Sequence, residues 1–168
     1  MIGPKPTGRR FAVVLLLLVI LHFTVRPLYP ERFLVLAPDF LLLALLLYAI
    51  RARPGSAAVA GFFVGLLSDS LRPLAFGSGM LAHTFVGFLA AWGKAVFFAE
   101  NLSVTLAFLF AGSVGRDVLV LLWGGHLRGA TLGWQVFLWT PLNALVTAIA
   151  GAIVLILFQR WIPTRLAS

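Results

Sequence analysis

Three aspartates lie inside otherwise apolar stretches of this 168-residue chain: Asp39, Asp69 and Asp117. A carboxylate is costly to place in lipid, so each needs a functional or structural reason to be there. Two of them sharing one proton would supply the acid and base of an aspartyl dyad. Arg72, close after Asp69, and Arg116, directly before Asp117, could neutralise the acids instead. Adjacent residues on a helix point about 100° apart, so Arg116 and Asp117 are each expected to find a partner on another helix. No serine–histidine or histidine–glutamate motif completes a catalytic set. The expectation is therefore an intramembrane polar network of Asp39, Asp69, Arg72, Arg116, Asp117 and Asn143, with no catalytic role and no enzyme.

Metal and cofactor chemistry find still less support. His22, His83 and His126 fall in different segments, without HxxxH or ExxH spacing. His22 reads as interfacial and His83 as a packing residue. The chain has no cysteine, which removes disulfides and thiolate ligands. The glycine-rich stretch from Gly124 to Trp134 has neither GxGxxG nor Walker spacing and reads as a loop. No metal or cofactor is expected.

The elements that must position the acids are membrane helices. Hydrophobic residues make up 61% of the chain and charged residues 11%, against about 45–50% and about 25% in soluble domains. Six apolar runs, about 11–25, 33–50, 57–71, 77–98, 102–124 and 135–158, predict one all-α integral membrane domain. The first run follows a basic start but lacks a small-x-small cleavage site, so it reads as a retained helix and not as a signal peptide. The net charge of +8 is spread between the apolar runs, which argues for topology and anionic headgroups and against nucleic acid. With six spans, eight basic residues fall on one side and four on the other. That asymmetry places both termini in the cytoplasm, and it places Asp39, Asp69 and Asp117 toward the external leaflet.

Two local patterns set the helix contacts. Ala57, Gly61 and Gly65 stand four apart, on one helical face that ends at Asp69. In lipid such a stripe lets two backbones approach closely. Span four continues the theme with Gly79, His83, Gly87 and Ala91, after a turn through Arg72, Pro73 and Gly77. Ala57, Gly61, Gly65, Gly77 and Gly87 are the expected packing and interaction residues. In span two, Asp39 follows Pro38 directly. Either the proline loosens a helical turn around the acid, or Asp39 caps a helix that begins there.

Four stretches carry a resemblance. PDFLLLALLLY (38–48), GFFVGLLSDSLRPLAFG (61–77), HTFVGFL (83–89) and PLNAL (141–145) are similar, in order and spacing, to the rod shape-determining protein MreD family. Spans one and five match only as hydrophobic segments. The resemblance implies a non-enzymatic inner-membrane subunit of the bacterial cell-elongation machinery for peptidoglycan synthesis. Such a subunit binds MreC and works with MreB, with RodA and with the transpeptidase partner of RodA. It also implies a fold similar to the substrate-binding subunits of energy-coupling-factor vitamin transporters, which are the alternative reading. Those subunits share a small-xxx-small pair on their first helix, whereas here Ala12 is followed four residues later by Leu16.

Overall fold

Leucine-rich runs with no polar face become helices that must be covered on every side, by protein or by lipid. The computed structural model describes residues 7–30, 37–71, 76–97, 102–124 and 129–158, and these are helices and short turns with no strand among them. In chain order the helices are α1 (Thr7–Val25), which ends in a 3-10 turn (Arg26–Leu28), α2 (Phe40–Ala49), α3 (Pro54–Ser70), α4 (Ser78–Phe97) and α5 (Leu102–Gly124). After them α6 (Ala130–Trp134) runs through a π-helical turn (Gln135–Trp139) into α7 (Thr140–Leu157).

The segments Gly8–Leu28, Ser103–Gly124 and Ala130–Leu157 are long and apolar enough to cross a membrane. The remaining helices are shorter or carry more polar and small residues. α3, with 17 residues, extends about 25 Å at ~1.5 Å per residue.

α2 is the centre of the bundle. Every residue of it except Tyr48 is buried. It is also shorter than the apolar run 33–50 suggests. Residues 33–36 lie outside the described residues, and the helix itself starts only after Asp39, whose side chain caps it. Its ten residues reach about 15 Å, half of a hydrocarbon core roughly 30 Å thick. Pro38 therefore precedes the helix and breaks no bond within it. α5 and α7 present glycine notches to this core. Leu46 lies over Gly112, and Leu43 and Leu109 lie over Gly151. α1 runs antiparallel to α2, with His22 near the start of α2 and Phe11 under the Arg51 guanidinium at its far end, 4.1 Å from the ring centroid.

α3 and α4 form the tightest pair in the bundle. A Cβ on Gly61 would overlap the backbone carbonyl of His83 and come within 2.9 Å of Thr84 Cα. One on Gly65 would strike the backbone of Gly79 and Met80. From the other side, a Cβ on Gly87 would lie 2.6 Å from the Ala57 carbonyl oxygen. Each step of four along α3 thus meets a step of four back along α4, and the two backbones touch. Gly77 plays a different part. It has φ +99 and its absent Cβ would meet nothing, so it makes the turn into α4 and does not pack a helix face.

Candidate functional site

The start of α2 gathers the polar chemistry. Asp39 Oδ1 accepts from the Leu42 N–H at 3.0 Å, an N-cap that holds the carboxylate at the positive end of the helix. Its Oδ2 accepts from Arg116 Nη2 at 2.5 Å, and Arg116 Nη1 lies 3.0 Å from Asp117 Oδ1. Arg116 and Asp117 therefore do pair with each other. The arginine stem is long enough to turn one nitrogen back to its neighbour while the other crosses to α2. Asp39 and Arg116 are both buried. Charges so removed from water persist only when paired and hydrogen-bonded.

α7 fixes the chain leading into the triad. Thr147 Oγ1 accepts from the Asp39 backbone N–H at 3.2 Å, and Asn143 Nδ2 donates to the Ala37 carbonyl at 3.3 Å. His22 closes the third side. It is buried at 1% exposure, against the interfacial position its place near the end of α1 suggests. The Leu41 N–H donates to its Nδ1 at 3.4 Å, which requires a lone pair there. Asp39 Oδ1 stands 3.6 Å from the same nitrogen, beyond a hydrogen bond.

Asp69 is placed differently. Its carboxylate accepts three backbone N–H groups at the start of α4: Gly77 at 2.8 Å and Met80 at 3.0 Å on Oδ2, and Gly79 at 3.1 Å on Oδ1. Amides that a helix N-terminus leaves without partners are satisfied, and the helix dipole favours the negative charge. A Cβ at Gly79 would overlap Asp69 Oδ1, so that glycine makes room for the cap. Among the described residues no cation pairs with Asp69, and Arg72 lies outside them. His83 stands between the two acids, within electrostatic reach of Arg116, Asp39 and Asp69, and its Nδ1 donates to the Gly79 carbonyl at 2.7 Å. Of the six expected network residues, Asp39, Arg116, Asp117 and Asn143 come together, Asp69 caps a helix, and Arg72 lies outside the described residues.

A cavity of about 110 Å³ opens beside the triad, bounded by Arg26, Asp39, Arg116, Asp117, Gln135 and Thr140. Its far wall depends on the π-helical turn. Pro141 has no N–H to return to the helix, and the Thr140 N–H bonds five residues back to Gln135. That wider turn brings Gln135 onto the face of Thr140, and Asn143 and Thr147 continue the face at ordinary helical spacing. The three-and-four spacing of Thr140, Asn143 and Thr147 is readable in the sequence, whereas Gln135 falls off that pattern. Nothing in the sequence singles out Arg26 or His22 as members of the site.

In this geometry the acids are held by a guanidinium and by backbone amides. Among the described residues, the partners of Asp39 and Asp69 are cations and N–H donors, and no second carboxylate is hydrogen-bonded to either. The arrangement can brace helices. It also leaves one small polar opening.

No curated protein and no solved structure matches the chain. The family model for the rod shape-determining protein MreD aligns with residues 7–164, a stretch that holds the ion triad, the Asp69 cap and the α3–α4 contact together. With that alignment over nearly its whole length, the chain belongs to the MreD family.

Proposed function

We propose that this chain is a non-enzymatic membrane scaffold of the bacterial cell-elongation machinery. In this reading it binds MreC and acts with MreB, RodA and the transpeptidase partner of RodA in peptidoglycan synthesis. It lies in the cytoplasmic membrane as six apolar segments with both termini in the cytoplasm, the short buried α2 belonging to the central one. Membership of the MreD family supports a membrane protein of the rod-shape system. The observation that carries the scaffold reading is the use made of the charges. Asp39 and Asp117 are bridged by Arg116, and Asp69 is spent on capping α4. Side chains committed in this way hold helices in register and are not free to exchange protons with a substrate.

The vitamin-transporter alternative draws no support from the polar cavity beside the triad. Its volume of about 110 Å³ is well below the roughly 300–1,000 Å³ of small-molecule pockets. The cavities of about 480 and 490 Å³ elsewhere are lined almost wholly by apolar residues. The test is co-expression with MreC followed by affinity purification in a mild detergent. Recovery of the two together is the expected result. Clean absence of MreC, with this chain well folded, would overturn the reading, as would a vitamin retained through purification.

A further inference from the structure

The cavity beside the triad has a property that bracing does not explain. Arg116 pairs with both carboxylates on its walls, yet Arg26 also faces the space, half-buried, within electrostatic reach of Asp39 and Asp117 but in no ion pair among the described residues. Two further donors are left over. Thr140 Oγ1 and Arg116 Nε are buried with no hydrogen-bond partner among the described residues, on residues that line the same cavity and are 1% and 4% exposed. A buried donor without an acceptor costs free energy, so the site favours whatever brings one. Three donors without a hydrogen-bond or ion-pair partner among the described residues, two of them on guanidinium groups, ask for an oxyanion. A volume of about 110 Å³ holds several water-sized groups at roughly 10–15 Å³ each, room enough for a phosphate.

Position and charge narrow the class. Arg26 stands at the end of the apolar segment Gly8–Leu28, the depth at which a span meets the headgroups. The triad itself sums to one negative charge and Arg26 adds one positive. A dianion would be repelled by Asp39 and Asp117, whereas a singly charged group can sit on Arg26 and turn its other oxygens toward Thr140. Guanidinium groups match phosphate oxygens in geometry as well as charge. We propose that this cavity binds the phosphodiester of a membrane phospholipid headgroup, with Arg26 as its principal ligand and Thr140 Oγ1 as a second donor.

The test uses the full chain in a non-ionic detergent, titrated with short-chain phosphatidylglycerol and read by native mass spectrometry and by thermal shift. Short-chain diacylglycerol and inorganic phosphate serve as separate probes. Arg26→Gln should weaken phosphatidylglycerol binding about tenfold, equivalent to ~1.4 kcal/mol, and Thr140→Val about threefold. Diacylglycerol binding should be the same in all three proteins, and inorganic phosphate should compete poorly. Thr140→Val removes one buried hydroxyl without changing shape, so it decides the matter if Arg26→Gln folds badly. Phosphatidylglycerol affinity unchanged within twofold in a folded Arg26→Gln or Thr140→Val protein would overturn the proposal. So would inorganic phosphate competing as well as the lipid, which would identify an adventitious anion site.

Discussion

Replacing a helical glycine by alanine should have opposite signs at two positions of this bundle. In a helix interior the exchange gains up to about 1 kcal/mol from backbone propensity alone. At Gly115 on α5 an added Cβ meets nothing within 4 Å, so Gly115→Ala should keep most of that gain. At Gly61 on α3 the same atom would overlap the His83 carbonyl and press on Thr84 Cα. Both obstacles are backbone, so no rotamer change relieves them, and α4 must move bodily. Overpacking of this kind costs typically 1–3 kcal/mol, and a backbone clash belongs at the upper end. The expected net change is a loss of about 2 kcal/mol for Gly61→Ala, leaving the two variants roughly 3 kcal/mol apart. Equilibrium unfolding in mixed micelles, followed by circular dichroism, measures both. Equal stability of the two variants would refute backbone-to-backbone packing of α3 on α4.

Three further outcomes test the polar elements. Asp69→Asn keeps the shape but replaces one acceptor oxygen by a donor facing the α4 amides. It should cost about 1–3 kcal/mol and raise hydrogen exchange at Gly77, Gly79 and Met80, while unchanged exchange there would count against the cap. Arg116→Met leaves Asp39 and Asp117 without their cation and should destabilise by about 3–5 kcal/mol. The triple change Asp39→Leu, Arg116→Met and Asp117→Leu should recover most of that loss, and additive damage in the unfolding assay would show that the triad is not one electrostatic unit. Thr147→Val removes the acceptor of the Asp39 backbone N–H, with an expected cost of about 1 kcal/mol. That cost should vanish in the triple variant only if the hydrogen bond serves the triad, which a double-mutant cycle reads directly.

Much of the α3–α4 contact was legible because it follows from spacing alone. Residues four apart share a helical face, so Ala57, Gly61 and Gly65 on one run and Gly79 and Gly87 on the next announce two narrow stripes before any fold is known. The polar site was legible in its members and less so in its pairings. Composition marks Asp39, Asp69 and Asp117 as costly, but which donor answers each one depends on helix register. Asp69 finds backbone amides because the turn at Gly77 folds the start of α4 back over it. Asp39 finds Arg116 because α5 passes the start of α2. The short α2 and the π-helical turn were hidden for a related reason. Apolar runs do not show where a helix starts inside them, and periodicity assumes the regular turn that Pro141 disrupts.

The links made by the buried acids stand at one end of the bundle, and that placement bears on how the fold is held. Asp39 joins α2 to α5 through Arg116 and to α7 through Thr147, with His22 of α1 against it. Asp69 joins α3 to α4, and His83 stands between the two groups. The opposite end includes apolar packing and the Arg51–Phe11 stack. Lipid supplies no hydrophobic drive between helices, so directional bonds and close packing must choose among registers that leucine alone leaves nearly equivalent. Sliding α2, α3, α4 or α5 by a residue would leave a buried carboxylate or guanidinium without its partner, a larger penalty than any rearrangement of leucines. The acids thus specify the register, and the glycine contacts set how closely the helices then pack.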